Sequence, residues 1–124
     1  MTAVAATSQK PLVAVVTTIP LVAEAIADAI EFADVRVFEG ARDTEALLRW
    51  VQPDAVVADG EVDAAVAAAF GAARGTIVVH LDMSRRQLRV REGDTWREPE
   101  SGALDVDAVR NVLAGELLSP KARA

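Results

Sequence analysis

Apolar and polar positions change period along the chain, and the changes mark the elements. "PLVAVVTT" is a short run of β-branched residues and predicts a buried strand. Pro20 follows, where a first helical turn tolerates proline. Val22, Ile26 and Ile30 then recur at every fourth position, predicting one apolar helix face over about 20–32. "DVRVFEG" alternates and ends in glycine, which predicts a second strand. Asp43 or Thr44 is placed to cap the next helix, with Leu47, Leu48 and Val51 as its buried stripe and Pro53 as its stop. "DAVVAD" predicts a third strand. Val62, Val66 and Phe70 mark an alanine-rich helix ending near Gly71, and "TIVVHL" predicts a fourth strand.

Up to this point the order is βαβαβαβ, which predicts a parallel sheet with helices on its faces and right-handed crossovers. The pattern then breaks. In "RRQLRVREGDTWREPE", Leu88 and Val90 alternate with arginines, and Gly93-Asp94 is a turn signal, so a β-hairpin is expected. "LDVDAVRNVLAGELL" closes the pattern as an amphipathic helix, capped by Asp105 and lined by Val109, Leu113 and Leu117. Residues 1–10 read as a loose leader, 11–119 as one domain and 120–124 as a frayed tail.

Composition narrows the chemistry. The 124 residues suffice for one domain with a proper core, and 52% of them are apolar. A net charge of −6 argues against general attraction to nucleic acid or anionic membranes. There is no cysteine and one histidine, His80, so thiolate chemistry and cysteine or histidine-cluster metal sites are excluded. The apolar window "PLVAVVTTIPLVAEAIADAI" carries Glu24 and Asp28 and is interrupted by Pro20, which is too short and too broken for a bilayer span. No basic n-region precedes it, so a cytoplasmic location is expected. Gly40, Gly60 and Gly75 fall at loop positions and form no phosphate-binding motif.

"PDAVVAD", ending at Asp59, resembles the strand that carries the phospho-accepting aspartate of response-regulator receiver domains. "VAVVTTIPLVAEAIADAIE" resembles the start of that family, and "VRVFEGARDTEALLRWVQPDAVVAD" its second strand, second helix and third strand. The resemblance covers roughly residues 11–60 and implies a three-layer α/β receiver-like (flavodoxin-like) fold. The expected sheet has four or five parallel strands ordered 2-1-3-4-5, with the hairpin near one edge, replacing the usual fourth helix.

Carried across, Asp59 takes the phosphoacceptor position, while Thr17 and Thr18 stand where the family has its acidic pair. Those carboxylates hold Mg²⁺, and hydroxyls are poor substitutes as ligands for a hard dication. The Ser/Thr at the end of the fourth strand has no clear counterpart, although Ser84 lies nearby. The only lysines are Lys10 and Lys121, so the Lys-Pro after the fifth strand is missing too. The resemblance therefore implies a pseudo-receiver: a non-catalytic signalling or interaction module without cofactor, not an enzyme, with any output delivered through another protein. Its partner is expected to be a second copy or a regulatory protein, met by the last helix and the adjoining hairpin.

Two other functions compete. One is a Mg²⁺-dependent phosphoacceptor at Asp59. The other is a small-molecule domain using a crevice at the strand carboxyl ends, where Thr17, Thr18, Asp59, His80 and Asp82 should gather. Asp59, Glu61 and Asp82 supply oxygen but match no metal motif. Arg85, Arg86, Arg89, Arg91 and Arg97 surround Trp96 in sequence, a composition that suits a protein-interaction patch. The same residues equally suit a solvated sheet edge or, against the overall acidity, a nucleic-acid contact. Trp50 lies off its helix stripe and adds exposed apolar surface.

Overall fold

The computed structural model describes residues 10–39, 43–92, 94–99 and 104–118. The expected leader and tail, together with Gly40, Gly93 and Lys121, lie outside the described residues, apart from Lys10. Six strands and four helices follow one another as β1 (Leu12–Thr17), α1 (Pro20–Ala29), β2 (Asp34–Glu39), α2 (Thr44–Val51), β3 (Ala55–Ala58), α3 (Glu61–Arg74), β4 (Ile77–Asp82), β5 (Gln87–Glu92), β6 (Thr95–Arg97) and α4 (Val106–Leu118).

The strands form one open sheet in the order β2-β1-β3-β4-β5-β6. Only β2, β1, β3 and β4 run parallel; β5 and β6 return antiparallel. The expectation of a 2-1-3-4-5 sheet with up to five parallel strands is corrected here. Residues 83–86 alone separate β4 from β5. A turn that short cannot carry a crossover, so the fifth position must be filled by a returning strand. The hairpin continues the sheet itself, and Arg86, with φ 55°, turns the chain in the left-handed region.

Alternation along the strands divides the core between two faces. Val13, Val15, Val57, Val79, Leu81, Leu88 and Val90 pack with Ile26 of α1 and with Val109, Leu113 and Leu117 of α4. Ala14, Val16, Val56, Ala58 and Val78 pack on the other side with Leu48 of α2 and with Ala64, Ala67 and Phe70 of α3.

Local signals explain the helix ends. Asp43 caps α2 by accepting the Ala46 N–H at 3.0 Å, and Asp105 accepts the Ala108 N–H at 2.7 Å at the head of α4. Helix α3 runs past Gly71 to Arg74 and is closed by Gly75 at φ 73°, a conformation that favours glycine. Its buried face also departs from expectation. Val62 is 76% exposed, while Ala64, Ala67, Ala68 and Gly71 face inward beside Phe70. A Cβ on Gly71 would stand 2.7 Å from the Thr76 carbonyl oxygen, so this helix lies too close to the sheet for larger residues. In α2 only Leu48 of the expected stripe is fully buried; Leu47 and Val51 are half-buried, and Trp50 is 80% exposed, as its position implied.

Candidate functional site

Strand β1 ends in Thr17, and β3 delivers Asp59 one residue after its last paired position. The buried Thr17 hydroxyl donates to Asp59 Oδ2 at 2.7 Å, and Thr17 Oγ1 itself accepts the Ile19 N–H at 3.0 Å. One threonine thereby ties two strand ends together and positions the start of α1. Thr18 next to it is exposed. Nearby, the Thr44 hydroxyl donates to Asp63 Oδ1 at 2.6 Å, joining the head of α2 to the first turn of α3.

His80 belongs to the opposite row of side chains. It continues the Val78 row, whereas Thr17 continues the Val13–Val15 row. The strand-end residues expected in one crevice are therefore divided between the two sides of the sheet. His80 is buried, at 4% exposure, and its ring lies 5.9 Å from that of Trp96, tilted by 58°. Trp96 stands on the outermost strand, opposite Arg91, yet its indole leans inward across β5 to reach β4. The guanidinium carbons of Arg89 and Arg91 lie 4.9 and 5.6 Å from the Trp96 ring centre. An indole held by two guanidinium groups thus roofs the sheet beside α3, with cation–π attraction holding the roof. Burial, reinforced by the Arg89 charge, holds the His80 imidazole below its usual value of 6.5, against the pull of the Asp82, Glu61 and Asp59 carboxylates. It is therefore a neutral ring at pH 7.

Asp82 accepts the Ser84 hydroxyl at 2.9 Å and the Arg85 N–H at 3.2 Å; Arg85 and Arg89 approach its other oxygen at 3.9 Å. The Ser84 hydrogen bond leads the causes that hold its carboxyl below the usual carboxylate value, with the Arg85 N–H and nearby positive charge adding to it. Among the described residues no group of three or more His, Cys, Asp or Glu is placed to hold a metal ion.

The arginines are divided: Arg85 and Arg89 meet at Asp82, and Arg89 continues to Trp96, whereas Arg97 stands apart. Arg85 and Arg86 are exposed on the β4–β5 turn, Arg89 and Arg91 flank Trp96, and Arg97 reaches Glu116 of α4 at 3.3 Å on the far side of the sheet. Two concave surfaces were not foreseen. A groove of about 920 Å³ opens at the amino ends of β3 and β4, between the carboxyl-terminal ends of α3 and α4. An apolar crevice of about 210 Å³ lies between the heads of α1 and α4, beside Met83. The available signal for the crevice was Leu21, a large apolar residue outside the Val22–Ile26–Ile30 stripe.

Comparison with protein-family models, with curated proteins and with solved structures returned no match. Among the described residues no helix is long and apolar enough to cross a membrane.

Proposed function

We propose that the chain is a non-catalytic docking module, resembling a degenerate receiver domain, that acts in the cytoplasm by pairing with a like subunit or a regulatory protein. The observation that carries this reading is the Thr17–Asp59 hydrogen bond of 2.7 Å. A phosphoacceptor aspartate needs a divalent cation beside it to offset charge on the transferring phosphoryl group. Here a neutral hydroxyl stands against the carboxylate, and Thr18, exposed, adds no anion. Two further groups support the same reading. Ser84 spends its hydroxyl on Asp82. Lys10 directs its ammonium to the Glu31 carbonyl, near the start of β1, away from Asp59.

The competing reading is phosphorylation at Asp59, favoured by the location of that carboxylate at the carboxyl end of a central parallel strand. Incubation with acetyl phosphate and Mg²⁺, followed by intact-mass measurement, separates the two. The docking reading expects no phosphorylated species. A phosphoryl adduct that disappears in Asp59→Asn would replace it with the phosphoacceptor reading.

A further inference from the structure

We propose that His80 and Trp96 form a pH-operated latch: protonation of the imidazole releases the indole, carried on the edge strand β6, from its seat on the α3 side of the sheet.

Strand register builds the latch. His80 of β4 is paired directly with Arg89 of β5, and Arg91 of β5 directly with Trp96 of β6. Directly paired residues share a face of an antiparallel sheet, so all four side chains lie on one side. The imidazole is 4% exposed, and its ring centre is 5.9 Å from that of Trp96. Charging it sets an imidazolium opposite the Arg89 guanidinium, and like charges directly opposite destabilise a strand pair. It also creates a charge at a buried position.

Most groups that could offset that charge are engaged elsewhere. On His80's own strand, Asp82 takes the Ser84 hydroxyl and the Arg85 N–H, with the Arg85 and Arg89 side chains 3.9 Å away. At the end of β3, Asp59 takes the Thr17 hydroxyl. At the head of α3, Asp63 takes the Thr44 hydroxyl, and Glu61 is exposed to solvent. On β5, Arg89 and Arg91 add positive charge beside the indole. Burial and Arg89 outweigh the pull of Asp82, Glu61 and Asp59, and hold the imidazole below its usual titration range.

The edge of the sheet is what gives way. β6 is outermost, three residues long and paired only with β5. On the α3 side, Trp96 packs against the core; on the other, Arg97 reaches Glu116 of α4 at 3.3 Å. Segments with few buried contacts open at less cost than the whole fold. Lifting the indole admits water to the imidazolium, while the Arg97–Glu116 pair keeps the strand attached to α4.

Trp96 fluorescence tests the latch. Trp50→Phe, a change at a residue 80% exposed, leaves Trp96 as the sole indole. In that variant, emission should shift to longer wavelength and acrylamide quenching should grow as pH falls from 8 to 5, with far-UV circular dichroism unchanged. The open-to-closed ratio should stay level above 6.5, the usual histidine value, and rise by up to about tenfold per pH unit below it, because the open state takes the proton more readily. His80 is the only histidine, so its ring resonances report the titration directly, and their midpoint should coincide with that of the indole change. Adding His80→Gln should flatten the indole profile.

An indole signal that stays level from pH 8 to 5 overturns the latch. So does a change that persists in a folded His80→Gln variant, or one that accompanies loss of the far-UV signal, which is global unfolding. If His80→Gln does not fold, the Trp50→Phe chain decides alone: coincident midpoints support the latch, and a His80 titration without an indole change overturns it.

Discussion

Thr17 and Asp59 are joined by a hydroxyl–carboxylate hydrogen bond of 2.7 Å, and the threonine oxygen also receives the Ile19 N–H. The pair links adjacent parallel strands at their carboxyl ends and holds the chain where α1 begins. It is a structural clasp between two strand ends and the helix that follows the first of them.

Replacing the clasp tests that role. In Thr17→Asp a second carboxylate would face Asp59, and like charges at such range repel. The melting temperature should fall without divalent cation and recover in millimolar Mg²⁺, because cation binding to the folded state stabilises it. The parent chain should melt at the same temperature with and without Mg²⁺. Thr17→Val should cost about 1 kcal/mol, the scale of one lost hydrogen bond, with no response to Mg²⁺. A parent chain stabilised by Mg²⁺ would contradict the clasp.

His80 should make stability depend on pH. Burial first, then Arg89, lowers its protonation range in the folded chain, while Asp82, Glu61 and Asp59 pull the other way. The unfolded chain therefore binds the proton more readily, and stability rises with pH across that interval. Stability should be insensitive to His80 above about 6.5, the usual histidine value, and decline as pH falls below it towards the lower folded value. Asp82, held below its own usual value of 3.8, releases its contribution only at still more acid pH. Urea midpoints measured from pH 8 to 5 should show the decline in the parent and a flatter profile in His80→Gln.

Trp96 packs beside the buried His80 ring, with ring centres 5.9 Å apart. Removing the indole takes the cover from the ring 5.9 Å away and leaves Arg89 and Arg91 without their stacking surface. Trp96→Ala should destabilise by about 2 kcal/mol, less than for a fully buried tryptophan because the residue is only half-buried. Burial leads the causes of the His80 shift, so its titration by NMR should move up towards 6.5 in this variant. An unchanged titration would mean that other groups exclude water from the ring.

Much of this architecture is legible before any coordinates. The β-branched runs mark β1, β3 and β4, and the Leu88–Val90 alternation marks β5, whose two leucine and valine side chains are fully buried. Asp105 and the Val109–Leu113–Leu117 row mark α4 in the same way. The inner face of α3 is not legible by hydrophobicity. Close approach to the sheet selects for small size, so alanines go inward and Val62 outward. The separation of Thr17–Asp59 from His80 follows from strand parity, a signal that residue type alone does not carry. The inward lean of Trp96 depends on packing across β5 and has no sequence signature.

Two glycines in helix interiors should respond to alanine with opposite signs. Gly115 in α4 has open space around a prospective Cβ, so Gly115→Ala removes only the backbone-entropy cost of glycine. It should stabilise the chain by about 0.5–1 kcal/mol. At Gly71 in α3 the added carbon would meet the Thr76 carbonyl oxygen at 2.7 Å and Val78 Cγ2 at 3.3 Å. The first neighbour is backbone at the entry to β4 and has little room to yield. Helix and sheet must then separate, and Gly71→Ala should destabilise by about 1–3 kcal/mol despite its better helix propensity. Urea denaturation of the two variants side by side provides the check. A stabilising Gly71→Ala would show that α3 does not lie against the sheet as closely as its alanine face implies.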